Sequence, residues 1–129
     1  MRDGKHVILG IDDDPDVLAY LQIVLEAEGY LFFGAESAED GLRVFMDEAP
    51  DAVIVDLMME EVDAGVRFTR ELQIRRSEIP VFMLSSVGDN FTLTADYSSL
   101  GLAGIFQKPI TKDTLLSVLS ATLESAPAV

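Results

Sequence analysis

The stretch Ala52-Val53-Ile54-Val55-Asp56 closes an unbroken apolar run with a carboxylate. A short continuous apolar run suits a strand buried on both faces, the situation inside a parallel sheet. An isolated carboxylate is costly to bury in such a strand, so Asp56 is expected at its C-terminal tip. In open α/β sheets, ligands bind outside that edge. The plainer alternative is that Asp56 ends the strand and caps a turn, a common task for Asp. Whether other strands deliver chemistry to the same edge decides between the two.

Read in order, the chain repeats this design. Val7 to Ile11 forms a first apolar run ending in Asp12-Asp13-Asp14. Gly10 within it weakens the strand or marks a close backbone approach. Pro15 suits the first turn of a helix, and an Asp before it suits the N-cap. Val17, Leu18, Leu21, Val24 and Leu25 follow at helical spacing, and Gly29 ends the run. Tyr30 to Phe33 is a short aromatic strand. Ser37 with Asp40 opens a second helix carrying Leu42, Val44, Phe45 and Met46, closed by Pro50. After the Asp56 strand comes an acidic loop from Glu60 to Gly65, then a third helix with Val66, Phe68, Leu72 and Ile74. Pro80 opens a fourth strand, Val81 to Leu84, ending in Ser85-Ser86. A fourth helix is expected in the second half of Gly88 to Gly101. Ile105-Phe106 forms a fifth strand leading to Lys108-Pro109. The last helix is capped at Thr111 or its neighbour and carries Leu115, Leu116, Val118, Leu119 and Leu123, and Ser125 to Val129 is a frayed tail. Strands alternating with helices imply an α/β fold, a parallel sheet with helices on both faces. The expectation is a single domain over residues 1–129, with a core from about 6 to 124.

Composition narrows the chemistry. The chain has 129 residues, no cysteine and one histidine, His6. Disulfides, thiolate zinc sites and thiol nucleophiles are excluded, as is a multi-histidine metal site. His6 itself reads as a partly exposed strand residue. The formal net charge of −14 opposes nucleic acid and anionic membranes. Arg75-Arg76, the one adjacent basic pair, reads as a solvated loop. No apolar run approaches the ~18 residues of a membrane span, and the run after the charged start is too short for a signal peptide. These features together point to the cytoplasm. Strong acidity does suit a site that collects cations.

Parallel strands point their C-terminal ends to one edge, which here gathers Asp12-Asp13-Asp14, Asp56, Ser85-Ser86 and Lys108. Two carboxylates ~4 Å apart repel by about 4 kcal/mol at an effective dielectric near 20, so a cluster of three must bind protons or a cation. Oxygen ligands without His or Cys select a hard ion such as Mg²⁺. Lys108 adds a fixed positive charge and Ser85 a hydroxyl donor. A metal, an ammonium and a hydroxyl around one carboxylate are what phosphoryl transfer onto it requires, with Asp56 as the nucleophile.

From Val7 to Leu123 these residues resemble the response-regulator receiver domains of two-component signalling. The shared set is an acidic pair after strand one, Asp after strand three, Ser or Thr after strand four and Lys-Pro after strand five. The resemblance implies the flavodoxin-like strand order 2-1-3-4-5 in a five-stranded sheet; the handful of folds known to share this order includes receivers themselves. It implies that Asp12 and Asp13 are the metal-site acids, with Asp13 the direct ligand, and that Asp56 is the phosphoacceptor. The Met58 carbonyl would be a further ligand to Mg²⁺. Ser85 and Lys108 would contact the phosphoryl group, and a cis peptide bond would precede Pro109. The implied donor is a phosphohistidine on a sensor histidine kinase or a histidine phosphotransfer protein. The implied output is a conformational shift in the face made by the fourth helix, fifth strand and last helix.

Some positions depart from that pattern. Glu60 stands where the family usually has proline, and Ala64, followed by Gly65, where it has glycine. Ile105 stands at the family's switch aromatic, while strand alternation sends Phe106 to the opposite face. The spacing from Ser85 to Lys108 is about one residue long. Met58 and Val87 cannot position a water, which implies slow loss of the phosphoryl group. Met58-Met59 otherwise reads as packing, and Glu60-Glu61-Asp63 as a solvated loop. Two other readings stand beside the receiver. One is a degenerate receiver that binds partners without phosphate. The other is a haloacid-dehalogenase-type phosphatase, with Asp12 as nucleophile, Asp14 completing Asp-x-Asp, and Ser85 and Lys108 as later motifs. Against it, only Asp113 and Glu124 remain for that family's final acidic pair, and there is no room for a cap domain. The chain carries no helix with a basic recognition face and no room for a separate output domain.

Overall fold

The structure is a computed structural model that describes residues 4–56, 79–85 and 103–124. Five strands form one parallel sheet in the order β2-β1-β3-β4-β5, with β1 Val7–Ile11, β2 Leu31–Ala35, β3 Ala52–Asp56, β4 Val81–Ser85 and β5 Gly104–Gln107. Every residue of β1, β3 and β4 is buried. This follows from the sheet being covered on both sides.

Three helices are described: α1 Pro15–Ala27, α2 Ala38–Glu48 and α3 Lys112–Glu124. The two faces of the sheet hold separate apolar clusters. Leu21, Val24 and Leu25 of α1 and Leu115 and Leu119 of α3 pack on Ile8, Ile54, Phe82, Leu84 and Phe106. Phe45 of α2 packs on Leu9, Ile11, Val53, Val55 and Met83, with Leu42 and Val44 at its margin. Odd and even strand positions thus serve opposite helices, as the two-residue period of a strand requires.

The helix starts lie where the sequence signals put them. Asp14 caps α1, its side chain accepting from the Asp16 amide at 2.9 Å, and Pro15 follows as the first helical residue. Ser37 Oγ accepts from the Asp40 amide at 3.1 Å and caps α2. Thr111 Oγ1 accepts from the Thr114 amide ahead of α3. β2 lies later than expected, at 31–35 rather than 30–33, because Gly34 and Ala35 pair with Gly10 and Ile11. His6 precedes β1, half-buried, with its ring stacked on Tyr30 at a centroid distance of 6.4 Å. The expected third and fourth helices, the acidic loop, Arg75-Arg76 and the C-terminal tail lie outside the described residues.

Candidate functional site

The C-terminal strand edge gathers the predicted residues. Asp12 follows β1 directly, Asp56 is the last residue of β3, Ser85 the last of β4, and Lys108 follows β5. The register sets β1, β3 and β4 side by side, pairing Ile11 with Val55 and Asp56 with Leu84. Asp12, Asp56 and Ser85 are the buried polar side chains among the described residues. Three buried polar groups meeting at one edge of an apolar sheet are hard to attribute to turn capping alone.

Asp12 is held on several sides. Its amide donates to the Ala35 carbonyl at 3.1 Å, and its Oδ1 accepts from the Asp14 amide at 2.9 Å. Its Oδ2 lies 2.9 Å from Lys108 Nζ. The same ammonium stands 3.4 Å from Asp56 Oδ2. Lys108 therefore bridges the two carboxylates and lies closer to Asp12, whereas the sequence pointed to Asp56 as its centre. Burial works against the ammonium. Hydrogen bonding to Asp12, with the charges of Asp56 and Asp12, outweighs that and raises the lysine pKa above its ordinary value of 10.5.

The backbone of Lys108 is fixed as well. Its amide donates to the Ser85 carbonyl at 2.7 Å, and Ser85 pairs with Gln107 in the sheet. The peptide bond between Lys108 and Pro109 is cis, as the resemblance implied. Ser85 and Lys108 are thus neighbours whatever their spacing along the chain.

Oxygens from Asp12, Asp13 and Asp56, one from each, lie within 4.8 Å of one another. Three carboxylate oxygens gathered this closely form an all-oxygen donor set, which matches a hard cation. Asp13 is exposed, whereas Asp12 and Asp56 are buried and both lie against the Lys108 ammonium. Asp14 is turned away into the α1 cap. The Asp-x-Asp pair of the phosphatase reading is therefore not assembled. Met58, Ser86 and Val87 lie outside the described residues.

At the switch position Ile105 is 45% exposed, while Phe106 is buried against Phe82 at a centroid distance of 5.2 Å. Strand alternation places the aromatic inside, as expected. One contact that sequence reasoning missed is the Tyr20 hydroxyl, which donates to the Ile110 carbonyl at 2.8 Å just beyond Lys108-Pro109. A tyrosine in an otherwise aliphatic helical pattern was its only signal.

Comparison with known proteins agrees with this geometry. The family model described as "Response regulator receiver domain" matches residues 8–120. The transcriptional regulatory protein GlrR of Escherichia coli is 39% identical over 124 residues, covering 95% of this chain but only 27% of GlrR. The chain therefore spans about a quarter of that relative's length. PilH of Pseudomonas aeruginosa is 31% identical over 118 residues, covering 90% of this chain and 96% of PilH. The receiver domain of NtrX from Brucella abortus superposes with a TM-score of 0.84 at 28% identity, covering 92% of this chain and 99% of that one. A described helix long and apolar enough to cross a membrane is absent. With its 2-1-3-4-5 sheet, acidic edge and Lys-Pro turn, the chain belongs to the response-regulator receiver family of two-component signalling.

Proposed function

We propose that this receiver takes a phosphoryl group onto Asp56 from the phosphohistidine of a sensor histidine kinase or histidine phosphotransfer protein, in a reaction that requires Mg²⁺. The observation that carries the reading is the Lys108 ammonium set between Asp12 and Asp56, beside the three-carboxylate cluster. In the transfer an Asp56 oxygen forms the new bond to phosphorus, the bond from phosphorus to the histidine nitrogen breaks, and the imidazole departs. Asp56 sits at the sheet edge, 4% exposed, where little water competes with it. Lys108 presents its ammonium to the incoming phosphoryl oxygens, and the Ser85 hydroxyl donates to another. A bound Mg²⁺ neutralises charge on the transferred group, and Asp13, Asp56, Asp12 and the Met58 carbonyl are the groups that would hold it.

The domain acts as a signalling element and catalyses only its own phosphorylation and dephosphorylation. The phosphoryl group shifts a two-state equilibrium, and the changed surface is read by a protein partner. Residues 1–129 form one receiver unit working in the cytoplasm, and its strongly acidic surface does not contact nucleic acid.

Mass spectrometry of the chain after incubation with acetyl phosphate tests this. One added phosphoryl group is expected with Mg²⁺, none in its absence, and none in Asp56→Asn. Labelling that survives Asp56→Asn would move the acceptor elsewhere. A wild type that takes no label would favour the phosphate-independent binding module.

A further inference from the structure

Tyr20 lies on α1, and its hydroxyl donates to the Ile110 carbonyl at 2.8 Å across 90 residues of chain. Around this bond Val17, Tyr20 and Leu21 form one wall of a cavity, and Lys108, Pro109 and Ile110 form the other. We propose that Tyr20 is a positioning residue: its grip on Ile110 sets where Lys108 presents its ammonium to Asp12 and Asp56. The proposal rests on the phosphoacceptor reading and extends it to a residue outside the acidic cluster.

These contacts close a circuit. Starting at the ammonium, Lys108 Nζ pairs with Asp12 Oδ2 at 2.9 Å. Asp12 Oδ1 then accepts from the Asp14 amide, and Asp14 caps α1. Tyr20, on the second turn of α1, donates to Ile110, and the backbone returns through Pro109 to Lys108. The circuit contains the carboxylate, the helix and the lysine, and the tyrosine hydroxyl is its link between helix and turn. A lysine ammonium sits on a flexible four-carbon stem, so its position depends on where its own backbone is held. The Lys108 amide bond to Ser85 holds that backbone on the β4 side. Tyr20 holds the following residues on the α1 side. Removing one such bond leaves the ammonium attached but less well placed for an incoming phosphoryl group.

Tyr20→Phe keeps the ring and deletes the hydroxyl. Phosphorylation by acetyl phosphate at saturating Mg²⁺ and beryllofluoride affinity are both expected to fall about three- to tenfold, the range one neutral hydrogen bond supports. In a Lys108→Gln background Tyr20→Phe is expected to change neither further, since the hydroxyl acts through the lysine. A purely structural tyrosine would lower thermal stability, leave rate and affinity within twofold, and act equally in both backgrounds; that result overturns the proposal. The NMR signal of the Lys108 side-chain ammonium, assigned by its loss in Lys108→Gln, gives a readout independent of phosphate. It is expected to move in Tyr20→Phe, and an unmoved signal also overturns the proposal. Absence of labelling in the wild type would instead remove the phosphoacceptor reading, and the ammonium signal would still decide the role of Tyr20.

Discussion

Lys108 shows how a single residue can be both structural and chemical. Its ammonium stands 2.9 Å from Asp12 and 3.4 Å from Asp56, and its side chain is 22% exposed. The two carboxylates hold its pKa above 10.5 against the opposing effect of burial. A pKa raised on folding contributes stability that is fully present below the unfolded value, near 10.4, and is lost as pH rises through the folded value. Lys108→Met removes that contribution and leaves Asp12 and Asp56 facing each other. Urea unfolding at neutral pH is expected to show a loss of roughly 1–3 kcal/mol. As pH rises above the unfolded value the wild type should lose stability more steeply than the variant. Parallel alkaline declines in the two proteins would refute this account of the pair.

At the scale of elements, β1 and β2 are tied by a close contact as well as by their ladder. A Cβ at Gly10 would lie 2.7 Å from Phe32 Cζ and 2.8 Å from its Cε1, so the Phe32 ring occupies the space a side chain would need. Gly10→Ala forces that nearly buried ring to move and is expected to cost about 1–3 kcal/mol by chemical denaturation. Phe32→Leu in the same chain should recover part of it. The sequence offered a weakened strand or a close backbone approach at Gly10, and what the fold places there is the Phe32 side-chain ring. The apolar runs of β1, β3 and β4 and the caps Asp14 and Ser37 were readable because burial and capping leave local signatures. The shift of β2 was not, because pairing with β1 recruits Gly34 and Ala35 against their weak strand preference. The gathering of Asp12, Asp56, Ser85 and Lys108 was readable from parallel-strand logic. The closer partner of Lys108 was not, since side-chain distances depend on packing that no local pattern encodes.

For the whole molecule, a net charge of −14 on 129 residues means that folding works against self-repulsion. Raising NaCl from about 20 to 200 mM shortens the screening length from roughly 20 to 7 Å and is expected to raise Tm by about 3–5 °C. On the proposed function, Mg²⁺ at matched ionic strength should raise it further, since an ion held by the Asp12, Asp13 and Asp56 cluster would stabilise the folded state beyond general screening. Asp13→Asn should abolish that excess and leave the NaCl effect intact. An equal response to both salts in the wild type would mean that the cluster has no preference for the divalent ion. The short bond from the Lys108 amide to the Ser85 carbonyl has a consequence at this scale too. It splices the tips of two adjacent strands, so the backbones that carry the alcohol and the amine are fixed to each other. A displacement at either tip is therefore passed to the other through that backbone bond.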